Sequence, residues 1–372
     1  MKKPSIIISA GGTGGHIFPA LAVAQELRND YTIFWVGSKI GMEQQIIPKS
    51  GYPLFSVAMG GIRHKGWLRK ILLPFTMLRA MGQCLLILRQ VRPIAVCGFG
   101  GYAAFPICLS ARLWGCAMLI HEQNSVAGLS NKVLAYLAHK VLTAFPNTLV
   151  GPKTLLVGNP VRKEIIQLKH QQADSNNKLR ILVLGGSLGA RALNQQVPQA
   201  LVLITGRIAA VTHQVGRGDL DQVTRLYQEA LTTAERSAGS SLNHSSGEPL
   251  VAEVVSFIDN MAEAYANADL VICRSGASTV AEVSCAGLMA IFVPYPYAVD
   301  DHQTANANYL VAGGAALLLP ESQLNAASLA QLISGLTVEH CRRVGKKAAA
   351  LAITNSTELI AEQIRSAIED RR

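Results

Sequence analysis

Ser5-Ile6-Ile7-Ile8-Ser9-Ala10-Gly11-Gly12-Thr13-Gly14-Gly15-His16 is a short apolar run that breaks into glycines and then enters a helical pattern reaching Leu27. Far downstream the arrangement returns: Arg180–Leu184 leads into Gly185-Gly186-Ser187-Leu188-Gly189-Ala190-Arg191 and another helical stretch. A strand, a glycine-rich turn and a helix form the opening unit of a doubly wound α/β domain. Two such units, 174 residues apart in a chain of 372, predict two Rossmann-like domains rather than one large core.

Working outward, further buried strands are expected at Thr32–Val36, Ile94–Cys97, Ala117–Ile120, Lys140–Thr143, Ala210–Gln214, Leu270–Cys273 and Ala290–Val293. Several are apolar on every residue, as a parallel sheet covered on both faces requires. The domain boundary is expected at Val157-Gly158-Asn159-Pro160, giving domains 1–160 and 161–344. The chain from about 345 to 372 ends in a helix starting near Thr354, and Ala234–Pro249, rich in Ser, Gly and Asn, reads as a loop or insertion.

Glycine turns at helix N-termini cradle phosphate, because free N–H groups and the helix dipole favour negative charge. Turns 11–15 and 185–189, with Cys97-Gly98-Phe99-Gly100-Gly101-Tyr102, point together to phosphate or diphosphate ligands. They do not form a dinucleotide fingerprint. Ile17 stands at the third glycine position, and Val36-Gly37-Ser38-Lys39 lacks the acid that would hold an NAD ribose. His16, in the first turn of the first helix, is the candidate general base, since the positive end of a helix favours neutral imidazole. In Cys273–Glu282, Thr279 and Glu282 have the spacing of a capping box; the same stretch also suits amides on a diphosphate with Glu282 on a ribose. Asp219-Leu220-Asp221 has D-x-D form but reads as helix-start acids, and neither a metal cluster nor a cofactor is expected.

Charge divides the chain. Residues 1–160 hold 16 Lys and Arg against 4 Asp and Glu, whereas the remainder holds 18 against 20. No acid stands between Glu43 and Glu122, and 62–92 interleaves Arg63, His64, Lys65, Arg69, Lys70, Arg79, Arg89 and Arg92 with Trp67, Leu68, Ile71, Leu72, Phe75, Leu78 and Met81. This reads as an amphipathic surface for anionic lipid, in the absence of any nucleic-acid motif. Pro74, Arg79 and Gln83 interrupt Ile71–Leu88 as a membrane span, and Ile6-Ile7-Ile8 is too short for a signal peptide. Seven cysteines without a C-x-x-C are expected to be buried free thiols in a reducing cytosol.

Gly11–Pro19 (GGTGGHIFP), His121-Glu122-Gln123-Asn124, Gly158–Arg162 (GNPVR), Gly185–Arg191 (GGSLGAR), Arg274–Thr279 and Asp301-His302-Gln303 together resemble the MurG family over nearly the whole chain. The resemblance implies the GT-B architecture, two Rossmann-like domains about a cleft, with the last helix packing back on the first. It implies inverting transfer of N-acetylglucosamine from UDP-N-acetylglucosamine to the 4-hydroxyl of N-acetylmuramoyl-pentapeptide on undecaprenyl diphosphate (lipid I to lipid II), at the cytoplasmic side of the inner membrane. Carried over by position, His16 is the base. Thr13, Gly14, Gly15, Asn124, Arg162, Ser187, Ile258, Ala277, Ser278, Thr279, Val280, Ala281, Glu282 and Gln303 meet the donor, Glu282 at its ribose and Ile258 at uracil. Tyr102, His121 and Glu122 are acceptor-side candidates, and cell-wall synthesis proteins are possible partners. Ser278 departs from a leucine common in relatives, and His302 from a glutamine. The alternatives are another GT-B enzyme, such as a UDP-N-acetylglucosamine 2-epimerase, and an inactive membrane scaffold.

Overall fold

The computed structural model describes residues 3–60, 73–171, 177–186, 189–216, 220–238 and 251–371. Backbone contacts divide the chain into two compact units, Met1–Val161 with Ile353–Arg372, and Arg162–Ala352. The first contains β1 (Ser5–Ala10), β2 (Thr32–Ser38), β3 (Leu54–Val57), β4 (Ala95–Gly100), β5 (Ala117–Glu122), β6 (Lys140–Thr143) and β7 (Thr154–Leu156). They form one sheet in the order β3-β2-β1-β4-β5-β6-β7, parallel throughout. The second contains β8 (Leu179–Leu184), β9 (Ile208–Gln214), β10 (Val251–Val255), β11 (Leu270–Cys273), β12 (Met289–Phe292) and β13 (Leu317–Leu318). Its order, β10-β9-β8-β11-β12-β13, repeats the first six positions of the other sheet, again all parallel. The expectation of two doubly wound α/β domains holds, with strand order reversing direction beside β1 and beside β8.

Alternation along β1 shows why its run is apolar at every position. Ile6 and Ile8 enter one core with Val23, Leu27 and Trp35, while Ile7 enters the opposite core with Val36, Val96 and Met118. All three isoleucines are fully buried. The four strands the sequence reading did not place, β3, β7, β10 and β13, are the sheet edges. An edge strand is half exposed, so Ser56, Thr154 and Glu253 interrupt its pattern.

The terminal segment resolves into two helices. Val338–Ala350 belongs to the second unit, and Ser356–Glu369 to the first. Ile360, Ala361, Ile364, Ala367 and Ile368 recur at helical spacing and join the Ile6 core. Lys140 Nζ donates to Gln363 Oε1 at 2.9 Å and Ser366 Oγ at 2.8 Å, and Arg365 pairs with Asp30 at 2.9 Å. Position 345 therefore falls inside the preceding helix, where Gly345 lies against the Gly287 carbonyl. The loop expected from 234 also begins late, because the helix Leu220–Ala238 runs through its first five residues; 239–250 lie outside the described residues. So do 61–72, the most basic part of the segment expected to face lipid, and Asp219.

Six of the seven cysteines are buried and all are free. Among the described residues no helix is long and apolar enough to cross a membrane.

Candidate active site

In the first unit the chain leaves β1 through Gly11-Gly12-Thr13 and starts the helix Gly14–Leu27. Thr13, at the N-cap, accepts the His16 and Ile17 amides on its carbonyl while its hydroxyl makes no capping bond. His16 is half-buried, and its Nδ1 lies 2.9 Å from Gln123 Oε1. Gln123, 2% exposed at the end of β5, donates from Nε2 to the Phe99 carbonyl at 2.8 Å and sits 3.0 Å from His121 Nδ1. His121 Nε2 in turn lies 3.0 Å from the Gly158 carbonyl. Burial pushes the His121 imidazole down to about 4; the Gly158 bond opposes this and nearby His16 adds to it.

The turn after β4 belongs to this packing. A Cβ on Gly101 would stand 2.6 Å from the Gly11 carbonyl oxygen, and one on Gly100 2.7 Å from His16 Nδ1. Close approach to the first turn thus accounts for glycine at 100 and 101, in the third turn where phosphate is expected.

Glu43 was not singled out from the sequence, yet it is fully buried beside the Gly11–Gly12 turn. Its Oε2 accepts the Gly12 amide at 2.9 Å, and its Oε1 accepts the Ser38 amide at 2.9 Å and hydroxyl at 2.6 Å. The carboxylate ties the glycine turn to the end of β2. Its signal in the sequence was its isolation, the last acid before the long acid-free stretch. Glu122 does comparable work, accepting the Asn124 amide at 3.0 Å, the Gly128 amide at 3.1 Å and Asn131 Nδ2 at 2.8 Å. Its carboxylate is committed to its own loop, so Asn124 and Tyr102 are the more accessible of the sugar-side candidates.

In the second unit β11 passes through Arg274-Ser275-Gly276 into the helix Ala277–Ala286. Gly276 is the N-cap, with no side-chain cap. The capping box between Thr279 and Glu282 therefore does not form, because the helix starts three residues before Thr279 would cap it. First-turn amides at Ala277, Ser278 and Thr279 have no acceptor within the helix, and the buried Ser278 hydroxyl has no partner. Glu282 lies in the second turn. Tyr265 donates its phenol to one carboxylate oxygen at 3.1 Å, and Arg162 reaches the other at 3.4 Å. Burial raises the Glu282 carboxyl above its usual range, opposed by Arg162 and then Tyr265; the same burial holds the Tyr265 phenol well up. Tyr265, fully buried, is a second residue that sequence spacing did not reveal.

Gln303 is bolted to this turn. Its carbonyl accepts the Ser275 hydroxyl at 2.8 Å, its Oε1 accepts the Tyr295 amide at 2.9 Å, and Asn306 donates to the Ser275 carbonyl at 3.2 Å. Asp300 and Asp301 precede it with φ of 53° and 49°. Two consecutive left-handed residues that are not glycine are the sort of backbone strain held at ligand sites. Arg274 is turned to structure: it donates to the Val293 and Pro294 carbonyls at 3.0 and 3.1 Å and pairs with Glu321. Ile258 is half-buried in the loop between β10 and the helix Met261–Ala266, and Ser187 lies outside the described residues.

Two doubly wound parallel sheets of matched strand order, each with a glycine turn at its head, are the architecture of the GT-B glycosyltransferases. Residues 6–143 match the glycosyltransferase family 28 N-terminal domain and residues 180–364 its C-terminal domain. The chain belongs to this family, in its MurG branch. It is 46% identical over 363 residues to a protein of Cupriavidus necator named UDP-N-acetylglucosamine–N-acetylmuramyl-(pentapeptide) pyrophosphoryl-undecaprenol N-acetylglucosamine transferase, covering 96% of each chain. A protein of Ralstonia nicotianae with the same name is also 46% identical, over 96% of this chain and 95% of its own. The crystal structure of Acinetobacter baumannii MurG superposes with a TM-score of 0.83 at 38% identity, over 98% and 99% of the two chains. A putative UDP-N-acetylglucosamine 2-epimerase from Listeria monocytogenes shares the fold, at 11% identity and a TM-score of 0.59.

Proposed function

We propose that the chain moves N-acetylglucosamine from UDP-N-acetylglucosamine to the 4-hydroxyl of the lipid I sugar, giving lipid II with inversion at the anomeric carbon. The observation that carries this reading is whole-length similarity, at 46% identity, to transferases named for that reaction. Roles follow from the chemistry at hand. His16 takes the proton as the acceptor oxygen bonds to C1 and the C1–O bond to UDP breaks. Amides of Ala277, Ser278 and Thr279 and the Arg162 guanidinium face the departing diphosphate, and Glu282 accepts the ribose hydroxyls. Ile258 reads uracil through its backbone. Thr13, Gly14, Gly15, Asn124 and Gln303 hold the sugar, with Ser187, Val280 and Ala281 completing the donor side. Tyr102 serves the acceptor, and His121 and Glu122 act by shaping its loop.

The acceptor is lipid-linked, and the first unit offers a surface for the bilayer. On the helix Leu73–Val91, Ala80, Cys84, Ile87 and Leu88 are buried, while Phe75, Leu78 and Leu86 stand outward beside Arg79 and Arg89. Each cation near an anionic surface contributes about 1 kcal/mol, and each buried CH2 about 0.8 kcal/mol. We expect peripheral binding at the cytoplasmic leaflet. Replacing Phe75 and Leu78 by serine should release the protein from phosphatidylglycerol vesicles in a sedimentation assay.

The deciding experiment follows radiolabelled N-acetylglucosamine from its UDP form onto a short-chain lipid I analogue, with and without EDTA. Transfer in both conditions is expected. Release of UDP or isomerised sugar without transfer would move the epimerase-like reading ahead.

A further inference from the structure

We infer that Gln123 is a positioning residue that fixes the tautomer of His16, placing its proton on Nδ1 and leaving Nε2 as the basic atom. The catalytic consequence rests on reading His16 as the base; the tautomer itself does not.

The argument starts at the Phe99 carbonyl, an atom that only accepts. It lies 2.8 Å from one terminus of the Gln123 amide, so that terminus is the NH2 group. Reversing the amide would set two oxygens against each other in a buried site, an unmet pairing that costs on the order of 1–3 kcal/mol. The other terminus, 2.9 Å from His16 Nδ1, is therefore the oxygen. An amide oxygen only accepts, so Nδ1 must carry hydrogen, and in neutral imidazole Nε2 then holds the lone pair.

The remaining amide hydrogen tests the assignment independently. It points at His121 Nδ1, 3.0 Å away, which must accept. His121 then carries its proton on Nε2, where the Gly158 carbonyl waits at 3.0 Å. The string closes with every donor meeting an acceptor, and it requires a neutral His121, as full burial of that ring favours. Gly158 can come this close because it has no side chain; a Cβ there would meet Ser356 and Ile353. His121 and Gly158 thus lock Gln123 from behind, and Gln123 presents one acceptor to His16.

The test uses protein labelled with 15N-histidine, with His16 among the nine histidines assigned by its loss in His16→Ala. Long-range 1H–15N spectra should show His16 protonated at Nδ1. Gln123→Met, which keeps length but removes the acceptor, should mix the tautomers and lower kcat about 10-fold or more, with donor KM within about twofold. Gln123→Glu keeps an acceptor facing His16, so the Nδ1–H signal should persist, while the oxygen it sets against the Phe99 carbonyl should cost stability and part of kcat. A wild-type His16 protonated at Nε2, or a Gln123→Met protein with unchanged tautomer and kcat, overturns the inference. Should Gln123→Met not fold, the wild-type spectrum and Gln123→Glu decide. If the tautomer depends on Gln123 but His16→Ala still transfers sugar, the inference stands and the base assignment fails.

Discussion

The two sheets repeat one strand order, yet their leading glycine turns are held differently. In the first unit the turn after β1 is held on both sides, by Glu43 from the end of β2 and by Gly100 and Gly101 after β4, so the point where strand order reverses is filled by the unit's own His16 and Gln123. In the second, the turn after β8 packs toward β9: a Cβ on Gly189 would lie 2.7 Å from the Val215 carbonyl, and one on Gly216 would meet the Gly189 backbone. The contacts of that turn among the described residues thus run away from β11, the strand that leads into the helix Ala277–Ala286. Open sheets bind ligands at this reversal. On the proposed roles the same fold serves two purposes: one unit fills its crevice with a proton-handling side chain, and the other keeps amides and Glu282 there for a nucleotide.

Each unit also buries a histidine near its leading turn. His213 is fully buried, bonded to Tyr227 at 3.1 Å and to Asn194 at 3.2 Å, while Asn194 donates to the Val215 carbonyl that Gly189 touches. Burial lowers His213 to about 3 and His121 to about 4. A lowered folded value means the unfolded chain binds more protons below its own value near 6.5, so stability falls as pH drops from 6.5 toward 4 for His121 and toward 3 for His213. At full protonation the loss is about 3 kcal/mol for His121 and roughly 5 kcal/mol for His213, the largest effect expected here. Denaturant melts between about pH 7 and 2.5 check it, because the two histidines part only below about pH 4. His213→Gln should flatten the acid slope more than His121→Gln, and equal slopes would break the comparison.

Next in size is His16→Ala, expected to lower kcat about 100-fold or more while donor KM holds, read in the transfer assay. Glu282→Ala should do the reverse, raising the UDP dissociation constant roughly 10- to 100-fold by calorimetry, the scale of a hydrogen bond to a charged group. If either substitution produced the other's signature, the division of labour between the units would be wrong. Glu43→Gln should cost about 1–3 kcal/mol in thermal melts, since a buried acceptor set is broken beneath the first glycine turn. Arg162→Ala should change stability by less than about 1 kcal/mol, because the guanidinium side chain is 52% exposed and such pairs are screened. Its effect belongs in donor binding.

Legibility tracked burial. Central strands such as β1, β5 and β11 were readable because both faces are covered and their middle residues are apolar. Edge strands were not, since Glu253 and Thr154 interrupt them. At the sites, His16 and Glu282 stood out because a glycine turn precedes each, a local signal. Gln123 stood unremarked between candidates at 122 and 124, Tyr265 gave no local signal that separated it from an ordinary helix residue, and Glu43 offered only its isolation before the acid-free stretch. The Thr279–Glu282 spacing showed the converse, a local pattern that the helix start at Gly276 overrode.

By itself the sequence determined what adjacent residues decide: two strand–turn–helix openings, the all-apolar centres of two parallel sheets, the helical stripe that includes Ile360 and Ile364, and the basic first half. The tertiary structure decided which side chains meet. Gln123 reaches His16 across 107 residues, Glu43 reaches Gly12 across 31, and Tyr265 reaches Glu282 across 17. Apolar periodicity is set by each segment's own burial, whereas a hydrogen-bond partner is fixed only when crossovers have brought distant strand ends within about 3 Å of one another.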